Sequence, residues 1–299
     1  FALSQPGSPH LAKASMTSVK TTAAAPSRRR FLQGSLLTGA AALAGPALLS
    51  ACGGSDIVSA LKPTRIRVFG DGLSFLGNPR FTVNDGSARL WVDQLASRYG
   101  LALTAADSFA AGNATASSIA SQIAAAGTPG SNDLFVINAP MADIFASGAN
   151  VATAEAAGKT LANAMQNLIA SGAQYVVLAG AYDLGKSPAA IALGQQSAFS
   201  AASLALNNAF KVNVTDLGKN LLFTDLAFYV NELIRLPGNY GLINVTSAVC
   251  NVSPATACTT ATLVASNYVD YVFADDRHLT PEAHRLFGDY AFDQINRRW

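Results

Sequence analysis

Asp275 and His278 stand three residues apart, just ahead of the last periodic apolar segment of the chain. That spacing lets the carboxylate reach back to one imidazole nitrogen while the other faces outward. Such a pair fixes the imidazole tautomer and stabilises the imidazolium once a proton has been taken, which is the base half of an acyl-transfer site. The other half needs a nucleophile beside the base and donors aimed at the oxyanion. Residues 65–78, Arg-Ile-Arg-Val-Phe-Gly-Asp-Gly-Leu-Ser-Phe-Leu-Gly-Asn, are where it is expected. A short apolar run, Ile66 to Phe69, meets Gly70-Asp71-Gly72, which reads as a first strand ending in a tight turn that opens a helix. In open α/β sheets ligands sit beyond the carboxyl ends of the strands.

This stretch resembles the first motif of the GDSL (SGNH) family of lipases and esterases, Gly-Asp-Ser-Leu-Ser, and the 275–281 stretch resembles the family's last motif, Asp-x-x-His-Pro-Thr. The resemblance extends between them. Residues 177–188 are similar to a family stretch ending Pro-Asp-Leu-Gly-x-Thr-Pro, and residues 240–250 to Tyr-Gly-Phe-x-Asn-Val-Thr-x-Ala-Cys. Together they cover nearly all of 65–299 in the family's order. The resemblance implies an ester hydrolase with His278 as base and Asp275 as its orienter. The nucleophile's place falls on Gly72, which has no side chain. Ser74 is the substitute at hand, but two residues along a helix start turn its hydroxyl by about 200° from wherever residue 72 points.

The oxyanion donors implied by the resemblance are the backbone N–H of Gly72, a second N–H at Gly112-Asn113, and an Asn side chain at a place here held by Ala142, which offers no donor. Losing one such donor lowers the rate on the order of 10²–10³, and losing the nucleophile lowers it more.

The elements that must position these residues follow from periodicity and composition. Leu134 to Asn138, Gln174 to Ala179 and Asn220 to Thr224 read as strands, and Ala102 to Thr104 as a further short one. Helices are predicted from about Ala88 to Tyr99 with Gly100 as the stop, then over 117–125, 151–171, 198–210 and 226–235, and from Pro281 with Thr280 as N-cap. His284, on the polar side of that last helix, is expected at the surface. Strands alternating with helices predict an α/β domain of three layers, flavodoxin-like, with a mainly parallel sheet over 64–299.

Residues 1–52 are set apart by chemistry. Ser27-Arg28-Arg29-Arg30-Phe31-Leu32 carries a twin arginine, residues 34–51 are small and uncharged, and Leu49-Ser50-Ala51-Cys52 ends the run. The segment resembles a twin-arginine (Tat) export signal ending in a lipobox, with Cys52 as the acylated residue and Met16 a candidate start. It contains Pro46 and is rich in Ala and Gly, so a lasting membrane span is the weaker reading. Residues 53–63 read as a tether. Gly53-Gly54-Ser55 has no Asp directly after the Cys, which implies the outer membrane of a Gram-negative cell.

All eighteen acidic residues follow Cys52, and fifteen basic ones accompany them, so that part carries −3. No basic patch argues for nucleic acid. Cys250 and Cys258, with no His beside them, read as a disulfide in an exported protein. No metal or other cofactor is expected, the chain is read as a monomer, and its small-molecule partner is an ester or acyl lipid. Three accounts of function follow: a working hydrolase using Ser74, a pseudoenzyme whose cleft binds an ester without cutting it, and a structural envelope lipoprotein. The residues favour the second.

Overall fold

Four apolar runs form one parallel sheet: β1 (Arg65–Phe69), β2 (Asp133–Asn138), β3 (Tyr175–Ala179) and β4 (Leu221–Thr224), in spatial order β1-β2-β3-β4. All six residues of β2 are buried, as expected of a strand covered on both faces. The structure, a computed structural model, describes residues 61–86 and 89–299. The expected export signal, Met16, Cys52 and residues 53–60 of the expected tether lie outside the described residues. At the end of the expected tether, Leu61 sits in the main core and its amide donates to the carbonyl of Trp299 at 3.5 Å.

Eight helices are seen among the described residues: α1 (Trp91–Arg98), α2 (Ala116–Ala124), α3 (Ala142–Ala146), α4 (Val151–Ala170), α5 (Pro188–Ala192), α6 (Gln196–Asn213), α7 (Leu226–Arg235) and α8 (Pro281–Arg298). Helices α2, α4 and α6 pack side by side, and α1 packs against α8, which gives the expected α/β/α layering of a mixed α/β fold. The ends obey the signals read from the sequence. Gly100, at φ +70°, closes α1 in the left-handed conformation, with the amide of Leu101 returning to the Ala96 carbonyl at 2.9 Å. Thr280 caps α8, its hydroxyl accepting from the Ala283 amide at 3.2 Å.

Two expected elements differ. No helix opens at residue 71. The Asp71 side chain accepts from the Leu73 amide at 3.0 Å and its carbonyl from the Ser74 amide at 3.1 Å, so the first amides are used in a turn and the chain runs on as a loop to α1. Nor is Ala102 to Thr104 a strand. Instead Ser108 makes a single parallel bridge to Val68, and the Phe109 and Ala111 amides donate to the Val68 and Gly70 carbonyls at 2.8 and 3.1 Å.

That displaced bridge matters for the site. From β1 the chain goes first to one side, to Ser108, and then to the other, to β2. The reversal makes the end of β1 the switch point at which a doubly wound sheet opens a crevice.

Two further strands, β5 (Asn244–Ala248) and β6 (Tyr271–Phe273), pair in parallel as a separate small sheet. Between β5 and β6 in the chain, Cys250 and Cys258 form a disulfide. Around the disulfide, Val83, Val249, Ala255 and Ala274 make a second, smaller apolar cluster. Among the described residues no helix is long and apolar enough to cross a membrane.

Candidate active site

β6 and the start of α8 hold the dyad. Between them the 274–280 loop folds back on itself, with the Ala274 amide donating to the His278 carbonyl at 2.8 Å. Asp275 is held by four donors. Its Oδ1 accepts the amides of Arg277 (2.9 Å) and His278 (2.6 Å), its Oδ2 accepts the amide of Ala255 (2.6 Å), and the ring Nδ1 of His278 lies 2.9 to 3.0 Å from both oxygens. Burial alone would push this carboxyl up. The imidazole bond and charge, together with the Arg277 and His278 amides, outweigh it and hold Asp275 well below the usual carboxylate range. An ionised Asp275 takes the Nδ1 proton of His278 as a hydrogen bond, which leaves Nε2 as the acceptor.

The rest of the loop is braced from behind. The Tyr182 hydroxyl donates to the Arg277 carbonyl at 2.6 Å, the Ala189 amide at the head of α5 donates to the Asp276 carbonyl at 2.9 Å, and the Arg277 guanidinium lies 3.8 Å over the Phe145 ring. Within the 177–188 stretch, Tyr182 therefore bears on the site through the dyad loop. Asp275, Asp276 and His278 each offer an atom within 4.8 Å of one another. Asp276 is already paired through both oxygens with Arg277, and Asp275 with His278 and the amides, so these atoms are spoken for without a cation.

His278 Nε2 faces Gly72. A Cβ built on Gly72 would lie 2.7 Å from that nitrogen and 3.0 Å from Cγ of Phe81, nearer than a side-chain carbon normally comes. The imidazole has thus closed on the position where a hydroxyl would be carried. Ser74 is elsewhere. It is fully buried, and its Oγ accepts from the indole N–H of Trp91 at 3.0 Å. The sequence reading placed it facing away because of helical rotation. In the turn that forms instead, the hydroxyl is taken by Trp91. Among the described residues no serine or threonine hydroxyl hydrogen-bonds to His278 Nε2.

The loops that would frame an oxyanion are in place. Asp71, fully buried, ties the end of β1 to the end of β2: it accepts from Asn138 Nδ2 at 2.7 Å and from the Met141 amide at 2.8 Å. Burial raises its pKa, against those hydrogen bonds and the charge of His278. Gln122 of α2 clamps the Gly70 peptide from both sides, at 2.9 and 3.1 Å. Gly112 and Asn113 follow the Ser108 bridge, and Asn113 takes φ +57°, a left-handed conformation that Asn enters more readily than most residues. Ala142 opens α3 and contributes only a methyl.

Two features lay beyond the sequence reading. Phe81 lies against His278, ring centroids 4.8 Å apart, and its far edge occupies the space in front of Gly112, where an added Cβ would collide with it. Nothing in a Phe of a Pro-containing loop announces this. His284, expected at the surface, is fully buried between α8 and α1. Its Nδ1 accepts from the Trp91 amide at 3.3 Å, and burial pushes its pKa down to about 3. The apolar pattern of α8 sets its buried face correctly, but α1 covers more of the helix than one stripe.

The GDSL-like lipase/acylhydrolase family model matches residues 66–291. Among solved structures the chain is similar to a member of the lipolytic protein G-D-S-L family from Veillonella parvula DSM 2008, at 12% identity over 79% of this chain and 99% of that one, with a TM-score of 0.49. It is also similar to an extracellular lipase from Streptomyces rimosus (13% identity, 79% of this chain and 100% of that one, TM-score 0.47). A third is phospholipase A1 from Streptomyces albidoflavus NA297 (16% identity, 78% and 98%, TM-score 0.43). No curated protein matches the sequence. The match spans both ends of the site, from the first strand to the last helix, and on it this chain belongs to the GDSL-like lipase/acylhydrolase family, whose members are hydrolases acting on esters.

Proposed function

We propose that this chain is a hydrolytically silent member of its family, one whose crevice recognises a carboxylic ester or acyl lipid without cleaving it. One observation carries the reading: Nε2 of an otherwise complete Asp–His dyad points at the bare α-carbon of Gly72, and the candidate hydroxyl, on Ser74, is bonded to Trp91. Without an oxygen beside the imidazole there is no acyl-enzyme to form, and the methyl of Ala142 supplies no third oxyanion donor.

The test is hydrolysis of 4-nitrophenyl butyrate by the unaltered protein, by Gly72→Ser and by Gly72→Ser with Phe81→Ala. The unaltered protein is expected to stay at the buffer rate. A serine Cβ at 72 meets His278 and Phe81, so the single variant is expected to remain weak and the double variant to exceed it by on the order of 10². Turnover by the unaltered protein would overturn the reading. If neither variant turns over or binds an ester, the structural-lipoprotein account takes its place.

The same proposal places the protein at a membrane surface through acylation of Cys52 after twin-arginine export, facing the periplasm or the cell exterior from a Gram-negative outer membrane. Its support is the order Arg28-Arg29-Arg30, an uncharged run, and Leu49-Ser50-Ala51-Cys52. Incorporation of labelled palmitate into the expressed full chain, abolished in Cys52→Ser, is the expected result. Equal labelling of both proteins would sink it.

A further inference from the structure

The crevice of this domain already has an occupant. In an ester bound for attack at residue 72, the carbonyl group lies between the residue-72 position, the Gly112 amide and His278 Nε2. That is the space the Phe81 ring fills. Its Cγ is 3.0 Å from the Cβ position of Gly72, its Cε2 and Cζ stand in front of Gly112, and its centroid is 4.8 Å from the His278 ring. Phe75 backs it edge-on at 5.8 Å. Phe81 and His278 are both nearly inaccessible, at 8% and 4% exposure.

The loop bearing Phe81 is held on both sides of it. Arg80 is paired with Asp93 of α1. On the other side the Thr82 hydroxyl donates to the Leu279 carbonyl at 3.3 Å, Val83 is buried in the disulfide cluster, and the Asn84 amide donates to the Cys258 carbonyl at 2.8 Å. The same disulfide loop supplies the Ala255 amide that holds Asp275. Plug and dyad are therefore fastened to one covalently closed segment.

We propose that Phe81 is an internal stand-in for the ligand: the site opens only when this ring leaves, and what then enters is a compact ester whose aryl or short-chain acyl group takes the volume of one phenyl ring. The inference rests on the reading of the crevice as an ester-recognition site. It names the ligand class and the device that controls access.

Phenyl acetate serves as the probe, titrated into the unaltered protein, Phe81→Ala and Phe81→Leu while the ring signals of His278 are followed by NMR. Removing the ring is expected to tighten binding on the order of tenfold with a shift at His278, and the leucine variant to gain less. Phe81→Leu keeps most of the apolar volume and carries the test if the alanine variant does not fold. Equal affinity in all three proteins, or no binding and no shift at His278 in the folded variants, overturns the plug. Phenol release is measured in the same samples: release by the unaltered protein would overturn the silent-hydrolase reading and leave the plug to be judged on affinity alone.

Discussion

Gly72 and Ser74 divide between them what one residue does in an acyl-transfer site. Residue 72 has the position and no oxygen, and residue 74 has the oxygen and the wrong partner. The Ser74 hydroxyl is a structural acceptor, buried beneath the crevice, and the indole N–H of Trp91 depends on it. Ser74→Ala is therefore expected to leave that N–H buried without a partner and to lower stability by about 1–3 kcal/mol, read as a reduced denaturant midpoint. It is also expected to leave ester turnover where it was. A loss of turnover without a loss of stability would make Ser74 the nucleophile after all.

Close approach of the helices sets the frame in which the dyad and the crevice sit. Helices α4 and α6 meet where Gly158 of α4 faces the backbone of α6, and a Cβ there would run into the Leu206 carbonyl. In an isolated helix, replacing Gly by Ala stabilises by about 1 kcal/mol. Here the contact reverses the sign: Gly158→Ala is expected to destabilise by about 1–3 kcal/mol through overpacking, measured by equilibrium urea unfolding. An alanine variant as stable as the unaltered protein would show that the two helices part at no cost. The small-residue composition of α4, which a propensity reading takes only as helix-forming, is thus also a packing feature.

At the scale of the molecule, pH acts through a histidine the site does not use. His284 is neutral in the fold, its pKa lowered from 6.5 to about 3 by burial and by the charges of His278 and Arg80. Below pH 6.5 the unfolded chain binds a proton here that the native state refuses, so stability falls as pH drops from 6.5 towards 3, by up to about 1.4 kcal/mol per unit from this group. The depressed Asp275 acts in the same sense but only below its ordinary value of 3.8, and the raised Asp71 acts in the opposite sense. Between pH 6.5 and 4.5 the raised carboxyls of Asp71 and Asp143 oppose His284, so its share is read as the difference in thermal midpoints between the unaltered protein and a His284 variant. His284→Asn, which keeps an acceptor for the Trp91 amide, is expected to flatten the decline over that range. An unchanged slope would mean that His284 becomes protonated in the folded protein.

What the sequence determined by itself was whatever depends on neighbours along the chain. The runs that became β1 to β4, the caps at Gly100 and Thr280, the Asp-x-x-His spacing of the dyad and the eight-residue reach of the disulfide are local patterns, and local sterics and hydrogen bonding enforce them. The missing side chain at Gly72 was legible too, because an absent side chain needs no geometry to be seen. Tertiary structure decided what depends on residues far apart in the chain. It kept the Gly-Asp-Gly turn from opening a helix, because Asp71 is drawn into bonds with Asn138 and Met141. It buried His284 under α1, gave the Ser74 hydroxyl to Trp91, and seated Phe81 between Gly72, Gly112 and His278. Each of these outcomes is a competition for space or for a hydrogen-bond partner, and the competitors meet only when the sheet, the helices and the disulfide loop close around the same crevice.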